Sequence, residues 1–376
     1  MKEKQRVLII SYFFYPYADV GAKRVSELAL FLRKKGCDVT VITSNRKEGH
    51  IHPQFVDEIK ELDVLKTWDP PSAIDFAWKK IKSLIKRRKH RTILMDNSAA
   101  ESGQPVLNRK NEKIFFLKRY FFSYHALFGN KKLWGLSSTL RALTCSFDQP
   151  FDVVISSSPY TIAHAGALAL KLVYKTPWLM DLRDPFSQAE MIDSKSESAL
   201  RTLLESRFEK AVIKYCDKIV CASPGIARQL ASDDEAKTKL HTIFNGYDGF
   251  LPEAPAQRTK GMGLRLIYAG QLYLNRNPFP LIDAIKNLIQ RREIDDNKIT
   301  LNFYGQCEEW QGINLTDVIK KDNLEKVIFI NGHISSDELR SEIEKSDVLI
   351  NFAQGQKNQI PAKSFEYMQS GKYSLV

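Results

Sequence analysis

The sequence predicts an α/β protein of two domains, each built on a doubly wound parallel sheet. Short apolar strands alternate with amphipathic helices over residues 6–43, and the same alternation returns over residues 264–352. Repeated strand–helix–strand units of this kind form parallel sheets. Between the two runs, residues 249–263 contain two prolines and three glycines without a hydrophobic period. We therefore place a linker at 249–263, between a first domain over 1–248 and a second over 264–376.

Length and composition fit a globular protein. The chain has 376 residues, enough for two domains of ordinary size, and 43% of them are hydrophobic. We find no apolar run near 18 residues, and the first apolar run ends at Ile10, so we predict neither a transmembrane helix nor a signal peptide. The expected location is the cytoplasm. The five cysteines show no metal-binding spacing, so no metal site is predicted.

The net charge of +12 at pH 7 restricts the classes of partner. A basic protein is suited to nucleic acid, anionic lipid headgroups or phosphorylated ligands. No nucleic-acid-binding motif accompanies the charge in this sequence. Lipid headgroups and phosphorylated ligands are therefore the favoured partners, and nucleic acid is not expected.

The chain opens with a strand–loop–helix–strand unit. We predict a strand over Arg6–Ser11, a helix over Ala22–Lys35 and a strand over Asp38–Thr43. The loop before the helix would present backbone N–H groups and a helix N-terminus at the carboxyl edge of a sheet, which is a natural anion site. Gly21 in this loop would let the backbone approach a phosphate, or would merely permit a tight turn.

Residues 45–150 are the least readable part of the chain. They contain a dense basic run at 79–90 and a segment at 114–134 in which aromatic residues alternate with Lys and Arg. Segments of this composition suit an anionic membrane surface, with the apolar side toward the lipid. The alternative for 114–134 is a pair of core helices with a solvated basic face.

The last helix of the chain is the segment around which the functional hypothesis is built. Pro361 and Gly371 bracket about three helical turns, and a buried strand ends at Phe352 just before them. Phe365 and Met368 are spaced to face a core. The helix would therefore begin outside the carboxyl end of a parallel strand, where open α/β sheets bind ligands.

Three segments resemble glycosyltransferases of the GT-B fold, specifically the retaining family 4. They are IPAKSFEYMQSGK near the end of the chain, YPYADVGAKRVSELALFLRKKGCDVTVIT near its start, and YAGQLYLNRNP after the first strand of the second domain. The resemblance implies two Rossmann-like domains that face each other across a cleft. It also implies a nucleotide diphosphate sugar as substrate, with no separate cofactor.

The resemblance assigns roles to particular residues. It implies that Glu366 holds the ribose hydroxyls of the donor, although an ordinary surface glutamate is the alternative. Asp184, in DLRDP after the strand Trp178–Leu182, is the one candidate in the catalytic group; it would contact a sugar, or else pair with Arg183 to organise the loop. The other implied donor-binding residues are Gly21, Gly270, Gln271, Arg276 and Lys363.

The sequence also departs from the family pattern. Arg276 matches the second cation that grips the donor diphosphate, and a guanidinium is well suited to that contact. Gln271, however, stands where the first cation would be, and Asn358 replaces a glutamate that is often paired with Glu366. The chain ends at Val376, so the second domain is expected to be incomplete.

The leading hypothesis is therefore a retaining hexosyltransferase that moves a sugar from a nucleotide diphosphate sugar to a glycan or lipid-linked acceptor. Its expected context is cell-surface polysaccharide synthesis, at the inner face of the cell membrane. Two alternatives remain open. One is a sugar-nucleotide epimerase on the same architecture, and the other is a catalytically inactive GT-B-like binding protein, which Gln271, Asn358 and the early end favour.

Overall fold

A computed structural model describes residues 4–17, 20–46, 51, 53–69, 132–184, 199–247, 263–273, 275–356 and 358–376. The chain divides into two compact units, Met1–Ile243 and Phe244–Val376. The basic run at 79–90, most of the segment at 114–134 and nearly all of the linker at 249–263 lie outside the described residues. The domain limits given by the sequence analysis therefore stay predictions.

The first unit is built on a sheet of seven parallel strands. The strands are β1 (Arg6–Ser11), β2 (Asp38–Ser44), β3 (Asp63–Thr67), β4 (Val153–Ser157), β5 (Trp178–Leu182), β6 (Lys218–Cys221) and β7 (Leu240–Thr242). They lie in the order β3–β2–β1–β4–β5–β6–β7, so the chain runs outward from β1 and then crosses back to β4. This reversal makes the sheet doubly wound and puts a switch point between β1 and β4.

Helices connect these strands. They are α1 (Val20–Lys34), α2 (Pro53–Glu58), α3 (Lys132–Asp148), α4 (Ala163–Tyr174), α5 (Ala199–Tyr215), α6 (Pro224–Leu230) and α7 (Asp234–Lys237), with a 3₁₀ turn at Ile59–Glu61. The central strand β1 is apolar from Val7 to Ile10 because helices cover both of its faces, and Leu8, Ile9 and Ile10 are fully buried.

The second unit has a smaller sheet of five parallel strands. The strands are β8 (Leu264–Ala269), β9 (Ile299–Tyr304), β12 (Ile328–Ile330), β13 (Val348–Ile350) and β14 (Tyr373–Leu375), while β10 (Glu309–Trp310) and β11 (Ile313–Asn314) form a separate antiparallel hairpin. The helices are α8 (Phe279–Gln290), α9 (Leu315–Lys321), α10 (Ser336–Glu344) and α11 (Ala362–Gln369), with a 3₁₀ turn at Asp296–Lys298. The strand order β12–β9–β8–β13–β14 puts the switch point between β8 and β13.

In both units, the same kind of hydrogen bond joins the two strands beside the switch point at their amino ends. In the first unit, the Arg6 backbone N–H donates to Asp152 Oδ2 at 2.7 Å, just before β4. In the second unit, the Arg265 backbone N–H donates to Asp347 Oδ2 at 2.7 Å, just before β13. A carboxylate therefore ties the first strand of each unit to the strand that returns beside it.

The predicted α/β class and the two doubly wound parallel sheets are confirmed. Several elements have the predicted bounds, among them β1, β8 and α8. The prediction missed β3 and α3, which flank the region without a readable pattern. The prediction that Gly21 lies in a loop is wrong, because α1 begins at Val20 and Gly21 is in its first turn.

The assignment of both Phe365 and Met368 to a core is also corrected. Met368 is 67% exposed, whereas the buried side chain of α11 is Tyr367. None of the helices in the described part of the chain combines the length and the apolar character that crossing a membrane requires.

Candidate functional site

The candidate site lies in the second unit, at the carboxyl edge of its sheet. The loop after β8 begins at Gly270, and the loop after β13 leads into α11. β8 and β13 are hydrogen-bonded neighbours on either side of the switch point. In a doubly wound sheet the connections from such strands lead to opposite faces, so a crevice is expected at this edge. Open α/β sheets bind ligands in crevices of this kind.

Two glycines bring backbone and side chains close together at this edge. Gly270 has φ +158°, and a Cβ there would lie 2.7 Å from Lys363 Nζ and 3.0 Å from the Tyr268 hydroxyl oxygen. Gly305, just after β9, has φ +104°, and a Cβ there would lie 2.2 Å from the Gly270 carbonyl oxygen. The missing side chain at Gly270 is therefore what makes room for the lysine.

Lys363 supplies the first positive charge of the site. It lies in the first turn of α11, partly buried, with Nζ 5.7 Å from the centre of the Tyr268 ring. No hydrogen bond or ion pair reaches Nζ from the described residues. Burial lowers the pKa of Lys363 to about 8, with Glu366 opposing the shift and the Arg276 charge adding to it. A desolvated ammonium in this position is suited to an incoming anion.

Arg276 supplies the second charge. Its guanidinium carbon lies 4.5 Å from the centre of the Tyr273 ring, and Nη1 lies 3.5 Å from the Gln271 carbonyl oxygen. Its Nε is buried and has no hydrogen-bond partner in the described part of the chain. Two cations that repel each other beside exposed backbone are a typical arrangement for binding phosphate.

Side chains from the sheet fix the helix that carries Lys363. Asn351 Nδ2, directly after β13, donates to Ser364 Oγ at 2.8 Å. The Tyr367 hydroxyl, buried under α11, accepts from the Ala269 backbone N–H at 3.4 Å. Both ends of the crevice therefore contact the same helix, and Glu366 projects from its exposed side.

The two loops of the crevice also contact each other. Gln354 Nε2 donates to the Asn277 carbonyl oxygen at 3.1 Å. Gly355 has φ +77°, and a Cβ there would lie 2.7 Å from Asn275 Nδ2. These contacts position the loop that carries Arg276 against the loop after β13.

The remaining predicted residues lie at the carboxyl edge of the first sheet. A Cβ on Gly21 would lie 2.7 Å from a ring carbon of Phe13, and the Gly21 carbonyl oxygen accepts from Arg183 Nη1 at 2.7 Å. Close packing is thus sufficient to explain this glycine. Burial raises the pKa of Asp184, and the neighbouring Arg183 charge opposes the shift.

The acidic residue that organises this edge is Asp181. Its carboxylate accepts from Arg24 Nη2 at 2.9 Å and from Ser157 Oγ at 2.7 Å. DLRDP therefore contributes a structural Asp–Arg pair to this edge, as the predicted alternative required, through Asp181 and Arg24. His164 has a structural role too, since its Nδ1 lies 2.8 Å from Ser156 Oγ and burial lowers its pKa to about 4.

Comparisons with known proteins agree with this architecture. Residues 85–248 match the sequence model of Glycosyltransferase Family 4. The structure is similar to the lipopolysaccharide outer core galactosyltransferase WaaB, with a TM-score of 0.58 at 11% identity over 98% of this chain and 80% of that one. This chain has the GT-B fold and resembles family 4 glycosyltransferases.

Other GT-B structures are similar over nearly the whole chain. HepE from Anabaena, in complex with UDP, gives a TM-score of 0.57 at 11% identity over 99% of this chain and 79% of that one. Starch synthase IV from Arabidopsis thaliana, bound to ADP and acarbose, gives 0.55 at 11% identity over 99% and 82%. No curated protein sequence matches the chain.

In this GT-B chain, the predicted residues are thus divided between the two units. Gly270, Gln271, Arg276, Lys363 and Glu366 lie around the crevice of the second sheet, and Gly21 and Asp184 lie at the edge of the first. Sequence reasoning missed Tyr268 and Gly305, although a glycine directly after a strand, at the same place as Gly270, was an available signal. Within the described residues, no group of three His, Cys, Asp or Glu side chains could hold a metal ion.

Proposed function

We propose that this protein is a glycosyltransferase that binds a nucleotide diphosphate sugar at the carboxyl edge of its second sheet. The match to the family model supports general glycosyltransferase function. The observation that carries the proposal is the convergence of Lys363 and Arg276 on one crevice, with Gly270 leaving the space between backbone and ammonium.

The chemistry of sugar transfer needs charges of this kind. When the bond to the sugar breaks, negative charge develops on the departing diphosphate, and fixed positive groups stabilise it without having to reorganise. Lys363 and Arg276 would provide those groups. Glu366 would hold the ribose, for which its exposed position on α11 is suited.

The finer assignment is a retaining transfer of a hexose, and it is part of the proposal. No catalytic base is assigned. Asp184 is proposed to make a polar contact with a sugar, since it ends up partly buried at the carboxyl edge of the first sheet. The donor is the substrate, and no additional cofactor is proposed.

A panel of nucleotide diphosphates tests the donor site. UDP, GDP, ADP and their sugars would be added to the protein, and the shift of the thermal midpoint would be measured. A ligand that binds only the folded state raises the free energy of unfolding, by about 2.7 kcal/mol at a hundredfold excess over Kd. The thermal midpoint rises with it. We expect the nucleotides of one nucleobase to shift the thermal midpoint, and we expect both Arg276→Ala and Glu366→Ala to reduce that shift strongly.

Arg291→Ala is the matched control, because this arginine is exposed at the end of α8 and outside the crevice. It should keep the full shift. If no nucleotide raises the midpoint of the wild type, the proposed donor site is wrong. If a nucleotide binds but no nucleotide sugar is turned over, the second candidate function applies, which is a GT-B-like binding protein. Gln271, which stands in place of a cation, favours that candidate.

The proposed acceptor is a glycan or a lipid-linked precursor of a cell-surface polysaccharide, met at the inner face of the cell membrane. The basic runs at 79–90 and 114–134 support this proposal by their composition. We expect the purified protein to sediment with vesicles that contain anionic lipid at low salt, and to be released as the salt concentration rises. If the protein does not sediment with such vesicles, the membrane part of the proposal is wrong.

A further inference from the structure

Tyr268 lies beneath the crevice of the second sheet, next to both cations of the candidate site. It belongs to β8, and its side chain is buried, with 2% of its surface exposed. Its ring packs against Phe303 of β9 and Phe352 after β13, with ring centroids 5.8 Å and 4.7 Å away. A ring that is close-packed between side chains of neighbouring strands has little freedom to move. Tyr268 is therefore a fixed point beneath the crevice.

The hydroxyl of Tyr268 holds the loop that follows β8. It donates to the Gln271 carbonyl oxygen at 2.9 Å. Arg276 Nη1 lies 3.5 Å from the same oxygen, and the Arg276 backbone N–H donates to the Tyr273 carbonyl oxygen at 3.0 Å. The tyrosine and the arginine thus share one acceptor, so the place of the Gln271 carbonyl determines where the guanidinium can lie.

The ring of Tyr268 faces the other cation. Lys363 Nζ lies over the ring, 5.7 Å from its centre, within the distance at which an ammonium is attracted to an aromatic face. Gly270 has no side chain to separate the two groups, since a Cβ there would lie 2.7 Å from Lys363 Nζ and 3.0 Å from the Tyr268 hydroxyl oxygen. One tyrosine therefore holds the loop of one cation and lies under the charged end of the other.

The Tyr268 hydroxyl remains a donor over a wide pH range. Burial raises the pKa of Tyr268 to about 12, and the Arg276 charge opposes the shift. The hydroxyl therefore still donates to Gln271 at the pH values at which Lys363 begins to lose its proton.

We propose that Tyr268 is a positioning residue of the donor site, which sets the separation of Lys363 and Arg276 so that both cations meet the diphosphate of one nucleotide. It acts through the two cations and not on the substrate, because its side chain is buried. The inference deepens the proposed function, on which it rests for the nucleotide. A tyrosine that only fills the core is the alternative, and it predicts a loss of stability without a selective loss of binding.

Tyr268→Phe distinguishes these roles because it removes one oxygen atom and keeps the ring. The variant should fold, since the packing of the ring is retained. UDP, GDP and ADP, each compared with its monophosphate, are the probes, and calorimetry measures Kd. For the diphosphate that the wild type binds most tightly, we expect Kd to rise about tenfold, the effect of one lost hydrogen bond. The monophosphate should lose less, because a single phosphate depends less on the separation of two cations.

Double-mutant cycles give a readout that a purely structural role would not change. In an Arg276→Ala background, Tyr268→Phe should add little further loss, because its hydroxyl no longer has a guanidinium to position. In a Glu366→Ala background, the two losses should multiply. The Kd values of the double variants would be read from thermal shifts at nucleotide concentrations up to the millimolar range.

Tyr268→Leu tests the ring. It removes the aromatic face under Lys363 as well as the hydroxyl, so Kd should rise further than in Tyr268→Phe. In a Lys363→Met background, the difference between the leucine and phenylalanine variants should disappear. Urea denaturation of every variant reports whether it is folded.

Tyr304→Phe is the matched control. Tyr304 is a buried tyrosine of the neighbouring strand β9, and its hydroxyl donates to Glu342 Oε2 of α10 at 3.0 Å. Glu342 is not among the residues of the crevice. The variant should lose stability and keep the wild-type affinity for every nucleotide.

Three results would overturn the assignment and leave the donor site standing. Tyr268→Phe could bind nucleotides like the wild type, or its loss could be the same in the Arg276→Ala and Glu366→Ala backgrounds. The third is an equal Kd for Tyr268→Leu and Tyr268→Phe. A wild-type protein that binds no nucleotide would instead sink the proposed function, and the assignment with it.

Discussion

Lys363→Met is expected to make the protein more stable and to abolish its response to nucleotide diphosphates. The ammonium is partly buried beside Arg276 without a compensating hydrogen bond from the described residues, so its charge is unfavourable in the folded state. Methionine has a similar length and no charge. We expect a gain of about 1–3 kcal/mol, an increase of several degrees in the midpoint, together with the loss of the ligand-induced shift.

The pH dependence of this gain has a definite sign. Burial lowers the pKa of Lys363 from 10.5 to about 8, so the unfolded chain binds more protons than the folded one between those values. The stability of the wild type should therefore rise with pH from about 8 to 10.5, and the advantage of Lys363→Met should be complete below 8 and disappear toward 10.5. Nucleotide affinity should fall over the same window, because the neutral amine no longer attracts phosphate.

Lys326→Met provides the control, since Lys326 is exposed and lies before β12, outside the crevice. It should change the free energy of unfolding by no more than about 0.5 kcal/mol. The nucleotide response should stay unchanged. Chemical unfolding at several pH values measures the first effect, and ligand-induced midpoint shifts measure the second. A Lys363→Met protein that still binds nucleotide diphosphate like the wild type would remove Lys363 from the donor site.

Gly305→Ala should destabilise the second unit by about 2–4 kcal/mol, because two costs combine there. The backbone has φ +104°, which disfavours any side chain, and the new Cβ would lie 2.2 Å from the Gly270 carbonyl oxygen. The contact is with backbone and cannot be relieved by a rotamer change. To accommodate it, the loop after β8 must move, so nucleotide binding should weaken as well.

Gly312→Ala separates the two costs. Gly312 has φ +86° in the tight turn between β10 and β11, but nothing lies within 4 Å of its would-be Cβ. Only the conformational cost of about 1 kcal/mol should remain, with nucleotide binding unchanged. If urea denaturation gives both variants the same loss of stability, the close approach of Gly305 to Gly270 has no energetic importance.

Much of the architecture could be predicted because the determining signals are local. The mainly apolar strands β1 and β8 and the strongly periodic helix α8 are recognisable from the sequence alone. Gly270 and Arg276 were singled out because the segment YAGQLYLNRNP, which follows β8, resembles the family 4 pattern. The helix α11 was placed correctly, but eight residues are too few for periodicity to decide which side is buried, and Tyr367 was overlooked in favour of Met368.

Other features depend on contacts that no single segment contains. The strand β3 carries charged residues because it lies at the sheet edge, and its sequence therefore does not alternate clearly. The lowered pKa of Lys363 arises from burial and from Arg276, which is 87 positions away in the chain. The pairing of Asp181 with Arg24 joins residues 157 positions apart, so the sequence could indicate only a nearer arginine.

The two aspartates that tie each first strand to its returning neighbour have a consequence for the growing chain. Asp152 follows its partner by 146 positions, whereas Asp347 follows its partner by 82. During synthesis, β1 therefore stays unpaired on one side until β4 has left the ribosome. The strand β8 stays unpaired on one side for a shorter time, until β13 has been made. Because an unpaired apolar strand invites wrong partners, the first unit spends longer exposed to aggregation than the second.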